Sequence, residues 1–186
     1  MVADCLAGDG RLAVGRLRPG WERDYYGRPP VDAVAGAGEI IQCERLADGR
    51  YNIVLDGQMR VRLEDEVRPE LPYRVARARR LAEVFPEGGP AALAERLTAL
   101  RAAHAKLLDV LGRGHADLVG RLTVAGATPG AVIDRIVSAV VPDAAVRQGI
   151  LEAVDVSERL DLATAALADL LAMVSGSEAE DEGAEA

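Results

Sequence analysis

The sequence predicts an α+β protein, with an antiparallel β lobe over residues 1–86, an α-helical lobe over 87–174 and a tail over 175–186. Three observations carry that prediction. Before residue 86, apolar and polar residues alternate in several short runs joined by Gly-, Pro- and Asp-rich turns. No long helical pattern separates those runs, which favours an antiparallel barrel or sandwich over a parallel sheet. From Pro90 onward the apolar spacing changes to threes and fours, the period of a helix.

Taken in order, RLAVGRL at 11–17 alternates small or apolar side chains with Arg and reads as a half-buried strand. The following loop, Arg18 to Pro30, holds Trp21, Tyr25 and Tyr26 among Gly and Pro residues that break regular structure. AGEIIQCERL and RYNIVL form two strands about Ala47-Asp48-Gly49, because Asp-Gly tolerates the positive φ of a tight hairpin. After Asp56-Gly57, QMRVRLE is expected to start a third strand. Met59, Val61 and Leu63 would be on its buried face, and Arg60, Arg62 and Glu64 on a solvated one. Pro69 and Pro72 interrupt the pattern before YRVARARRLA at 73–82, a further strand.

FPEGGP at 85–90 joins the lobes. Leu93, Leu97, Leu100, His104, Leu107, Leu108 and Leu111 then share one helical face, and Gly112 and Gly114 are expected to end that helix. Thr128-Pro129 combines an N-cap residue with proline at the first helical position, and opens a helix carrying Val132, Ile133, Ile136, Val137 and Val140. Pro142 stops it and Asp143 caps the next. Asp155 with Glu158 has capping-box spacing, so the last helix is expected from Val156 to about Val174, with Leu160, Leu167, Leu170 and Leu171 buried. The tail has almost nothing to bury and is expected to be disordered.

With 186 residues, 19.7 kDa and a mean hydropathy of +0.05, the chain is long enough for a core and balanced as globular proteins are. No apolar run approaches the roughly 18 residues that span a bilayer, and residues 1–20 show no secretion signal. The expected location is the cytoplasm, without membrane contact. Thirty acids against 22 bases give a net charge of -8, which opposes general attraction to nucleic-acid backbones. Five of those acids lie in the tail. Cys5 and Cys43 lack CxxC spacing and are expected to be small buried apolar residues.

The residue inventory also restricts the chemistry. Lys106 is the single lysine and follows Ala105, so no Walker A loop exists to hold a nucleotide's phosphates. A Ser-Lys dyad would need Lys106 beside Ser138, Ser157, Ser175 or Ser177, none within an oxyanion loop. His104 and His115 have no Cys or carboxylate at ligand spacing, so no metal is expected, and His104 is expected to contact its neighbours from a helix face. Carboxylate pairs such as Asp65 and Glu66, or Asp109 and Asp117, arise by chance among 30 acids. Arg74, Arg77, Arg79 and Arg80 form either a solvated strand face or a basic strip. Neither an enzyme nor a cofactor is expected. What remains is Trp21, Tyr25 and Tyr26, whose rings either offer a polypeptide-binding surface or fold back over the open end of the lobe.

GEIIQCERLADGRYNIVLDGQMRVRL at 38–63 resembles the N-terminal substrate-binding domain of Lon proteases, where a "G…I…LpDGry.vlleGl.Rv.I" pattern forms consecutive strands of a PUA-like barrel. PYRVARARRL at 72–81 looks like that family's next strand. Residues 122–172 resemble its helical part, "lp…kQ.lLe..dv.eRL..l...L", through Val141, Pro142, Gln148, Leu151, Glu152, Asp155, Val156, Arg159 and Leu160. The resemblance implies a PUA-like barrel followed by a helical bundle, and a module that binds unfolded or hydrophobic polypeptide. It is similar to family members that stand alone, without the ATPase and protease modules of full-length Lon. The alternative it leaves is an adaptor or assembly protein docking on a folded partner such as Lon protease itself. Related barrels elsewhere bind RNA, which the charge balance here opposes. The family normally opens on a strand resembling "lFPLpgvvLFPg", and MVADCLAGDGRLAVG looks like the helix after it, so the expected barrel is short of its first strand.

Overall fold

The computed structural model describes residues 1–68, 70–111 and 127–184. Two compact units divide the chain, Met1–Ala82 and Glu83–Ala186.

The first unit opens with helix α1, Val2–Ala7, which ends at Gly8. Strands β1 (Arg11–Val14), β2 (Val34–Arg45), β3 (Tyr51–Val67) and β4 (Val75–Leu81) form one antiparallel sheet in the order β1-β2-β3-β4. Among the described residues the outer edges of β1 and β4 pair with no further strand, so the barrel is not closed.

The β2–β3 turn forms where Asp48-Gly49 places it. Gly49 has φ 87°, its amide donates to the Leu46 carbonyl at 3.0 Å, and the Arg50 amide donates to Asp48 Oδ1 at 3.0 Å. Asp56-Gly57 does not divide two strands, as the turn-forming pair suggests. β3 runs through it unbroken, because the partner strand changes register between Ala37 and Gly38 and again between Ile40 and Gln42. The bulges bend the pair while keeping it hydrogen-bonded.

Val34, Ala35, Ile40 and Val61 are among the buried apolar side chains of this unit. Arg60 is buried too, against the expectation of a solvated face, while Arg62 and Glu64 of the same alternation are exposed as expected. Cys43 also departs from expectation. It lies on the part of the β2–β3 ribbon that neither β1 nor β4 flanks, where it is exposed; both cysteines are free thiols.

Residues 83–86 belong with the helices. The Val84 amide donates to the Val154 carbonyl at 3.0 Å and the Val156 amide to the Val84 carbonyl at 2.9 Å, tying this segment to the later helices. A turn of 3-10 helix, Gly89–Leu93, leads into α2, Ala94–Val110. Gly112 and Gly114 lie outside the described residues. Helix α3 covers Pro129–Val140, α4 Ala144–Glu152 and α5 Val156–Ala184.

Each of the last three helices starts on its expected cap. Thr128 Oγ1 accepts from the Ala131 amide at 3.2 Å. Asp143 Oδ1 accepts from the amides of Ala145 and Val146 at 2.6 and 3.0 Å. Asp155 Oδ1 accepts from Ser157 and Glu158 at 2.8 and 3.1 Å. Helix α5 continues to Ala184, beyond the expected end near Val174, because extending a helix already nucleated needs only one hydrogen bond per residue fixed.

The helical core gathers Leu93, Leu100, Ile133, Ile136, Leu160 and Leu167 with their neighbours. Arg159 lies fully buried among them. Its Nε donates to the Ala153 carbonyl at 2.9 Å, and its Nη1 approaches Glu83 Oε1 at 2.6 Å and Asp134 Oδ2 at 3.8 Å. One side chain thus ties the 83–86 segment to α3 and to the α4–α5 turn.

Candidate functional site: an aromatic loop held at its base

The long connection from β1 to β2 is closed at its stem by short-range backbone pairing. Leu17 bridges Val31, the Arg18 amide donates to the Pro30 carbonyl at 2.9 Å, and the Asp32 amide donates to the Arg16 carbonyl at 2.9 Å. Asp32 is nearly buried and takes Arg16 Nε at 2.6 Å and Arg18 Nε at 3.4 Å, so two cations neutralise one carboxylate at the stem. A second clamp comes from β3 and from Arg74, the residue just before β4. Glu66 receives Arg28 at 2.8 Å and Arg74, and Arg74 Nη1 also donates to the Pro29 carbonyl at 2.6 Å.

Within that frame, Gly20 has φ 90°, a left-handed conformation that glycine adopts without strain, and it sets the entry to a 3-10 turn over Trp21–Asp24. The turn brings the three aromatic residues into one series. Trp21 and Tyr25 have ring centroids 5.5 Å apart and tilted by 54°, and Tyr25 and Tyr26 are edge-to-face at 5.1 Å and 79°. Both lie within the range in which aromatic pairs attract beyond simple area burial. Trp21 is partly buried, Tyr25 is 57% exposed and Tyr26 is 99% exposed. Tyr26 therefore does not fold back over the lobe. The loop presents aromatic area and phenol hydroxyls on a support held by ion pairs, which suits contact with apolar or extended groups.

Sequence reasoning found the three rings and missed what holds them. Arg28, Asp32 and Glu66 carry no local signal, because their partners are 8 to 38 residues distant. Of the arginine cluster, Arg74 serves this clamp and Arg79 lies 3.5 Å from Glu64, while Arg77 and Arg80 are exposed along β4. His104 is buried on the inner face of α2, and His115 and Asp117 lie outside the described residues. Among the described residues no group of three His, Cys, Asp or Glu is placed to hold a metal ion. No helix there is long and apolar enough to cross a membrane.

The Glu66 clamp gives the loop a defined acid response. The hydrogen bond from Arg74 lowers the Glu66 carboxyl below its ordinary range, with Arg28 adding to the effect against partial desolvation. A carboxylate depressed in the folded state stabilises fully above its unfolded pKa of about 4.3, and that contribution is lost as pH falls through the lower folded value. An acid titration followed by Trp21 fluorescence should therefore hold its signal through the ordinary carboxylate range and change below it. In Glu66→Gln that late step should vanish. Identical titrations for the two proteins would disconnect the clamp from the loop.

Two solved structures share the fold of this chain. The N-terminal domain of the Mycobacterium avium complex Lon protease superposes with a TM-score of 0.52 at 22% identity, over 85% of this chain and 90% of that one. A Lon N-terminal domain protein from Xanthomonas campestris gives 0.54 at 19% identity, over 88% of this chain and 80% of that one. At such identities the likeness is one of fold. The family itself is shown by sequence: the model of the ATP-dependent protease La (LON) substrate-binding domain matches residues 1–169, and this chain belongs to that family. No curated protein matches the chain.

Proposed function

We propose that this chain is a non-catalytic polypeptide-binding module that takes unfolded or hydrophobic segments against Trp21, Tyr25 and Tyr26. Membership of a substrate-binding family supports the general class. The observation that carries the site is the exposed aromatic series on a clamped loop: Tyr26 is almost fully solvated, yet the loop beneath it is fixed at Asp32 and Glu66. Large rings ordered in advance lose little freedom on binding, so their contact area converts efficiently into affinity.

The test is a titration with a permanently unfolded polypeptide, reduced and carboxymethylated, read by the fluorescence of Trp21. A folded control protein is titrated in parallel. Saturable binding of the unfolded chain alone is expected. Replacing all three aromatic residues with alanine should weaken it at least tenfold, about 1.4 kcal/mol, measured by a label on the polypeptide. Unchanged affinity in that variant would remove the loop as the site. Binding of the folded control, or recovery of one stoichiometric folded partner such as Lon protease in a pull-down, would favour the adaptor reading.

A further inference from the structure

The loop that carries the rings also carries charge, and its two signs are used differently. Arg18 and Arg28 are taken up by the clamps at Asp32 and Glu66. Glu22 and Asp24 are exposed, and among the described residues neither is paired with a cation. Arg23 is the base of the loop that lies outside the clamps, and it does not cover the outermost ring, since Tyr26 is 99% exposed. Around the rings, free carboxylates therefore outnumber free guanidinium groups.

The 3-10 turn interleaves those carboxylates with the rings. At three residues per turn, side chains three apart fall on the same side, so Trp21 aligns with Asp24 and Glu22 with Tyr25. The Asp24 carboxylate fills the space that a side chain at Gly27, one residue beyond Tyr26, would need. An aromatic face is the negative pole of the ring's quadrupole and attracts a cation resting on it, and neighbouring carboxylates add to that attraction.

We propose that the aromatic loop selects unfolded segments carrying lysine or arginine beside their apolar residues, with the side-chain cation against the exposed tyrosine faces and its N–H groups turned to the carboxylates of Glu22 and Asp24. The inference rests on the polypeptide-binding reading above and names the class of segment taken. Acidic segments are disfavoured twice, by the ring faces and by the two carboxylates. The net charge of -8 also draws basic segments toward the chain, but at physiological salt that field reaches only about 8 Å, so groups within the loop make the selection.

Three unstructured peptides test it, equal in length and in leucine and phenylalanine content, with lysine and arginine, glutamine, or glutamate at the same positions. Each is titrated against the full chain, read by Trp21 fluorescence and by a label on the peptide. The basic peptide is expected to bind about fivefold tighter than the glutamine peptide, the upper end for an exposed cation–aromatic contact, and the acidic peptide weakest of all. Glu22→Gln with Asp24→Asn should bring the basic peptide to within about twofold of the neutral one. Converting the tail acids Glu178, Glu180, Asp181, Glu182 and Glu185 to their amides should leave the preference in place. Tyr26 is almost fully solvated, so its replacement leaves the fold intact. Tyr26→Leu should reduce the preference, and Tyr26→Phe should keep it because the ring face remains.

Equal affinity for the basic and neutral peptides, or tighter binding of the acidic one, overturns the selection of cations and leaves the aromatic site standing. A preference that survives the changes at Glu22, Asp24 and Tyr26 but is lost with the tail acids overturns it in favour of attraction by overall charge. Binding of none of the peptides overturns both readings. If the Glu22 and Asp24 variant unfolds, the comparison of Tyr26→Leu with Tyr26→Phe decides alone.

Discussion

Arg159→Ala should lower the stability of the helical unit by about 3–5 kcal/mol, the usual cost of removing one partner from a buried ion pair. Arg159 has no exposed surface, and its guanidinium lies between Glu83 and Asp134 while Nε serves the Ala153 carbonyl. Truncation leaves the Glu83 carboxylate without this cation, strands a carbonyl and opens a cavity among α3, α5 and the 83–86 segment. Arg159→Lys keeps the charge but cannot direct a planar fork at several acceptors, so it should recover only part of the loss. The double variant Arg159→Met with Glu83→Gln should be less damaged than Arg159→Ala, because it fills the space and removes the charge facing it. Urea denaturation followed by helical circular dichroism measures all three. A loss under about 1 kcal/mol for Arg159→Ala, well short of the buried-pair cost, would show that the pair is not the tie described here.

Gly38→Ala should destabilise the β unit by about 1–3 kcal/mol, the range for forcing an extra methyl into a filled space. A Cβ at Gly38 would stand 1.9 Å from the Asp56 carbonyl oxygen, 2.6 Å from its carbon and 2.9 Å from Gly57 Cα. These are backbone atoms of β3, so no side chain can swing aside, and relief requires the two strands to part at the bulge. Gly36 sits two residues away in the same strand, and a Cβ there meets nothing within 4 Å. Gly36→Ala is therefore expected to be neutral or slightly stabilising, since alanine lowers the entropy of the unfolded chain. Denaturation midpoints of the two variants, with hydrogen exchange at the β2–β3 ribbon, give the comparison. Equal midpoints would mean that the strands accommodate the methyl without cost.

The helical unit was more legible than the β unit. Caps and stripes are local: Thr128, Asp143 and Asp155 each sit two or three residues from the amides they receive, so their chemistry is written in adjacent letters. The β unit depends on pairing between distant residues. Asp56-Gly57 has the composition of a turn, but opposite the Gly38 bulge the same two residues continue a strand. Arg60 alternates as a solvated residue should, yet the sheet buries it, and Cys43 reads as buried but projects on an uncovered ribbon.

By itself the sequence determined the order of the two units, the start of each capped helix, the β2–β3 hairpin, the three aromatic residues and the family resemblance. Periodicity, turn residues and caps act over a few residues, within reach of local patterns. Only the tertiary structure decided that Arg28 meets Glu66 across 38 residues, that Arg74 reaches Pro29 across 45 and that Arg159 reaches Glu83 across 76. It also decided which sheet edges stay open. Ion pairs and strand edges depend on which distant segments become neighbours, and thirty acids among 22 bases allow many pairings that the linear sequence does not rank.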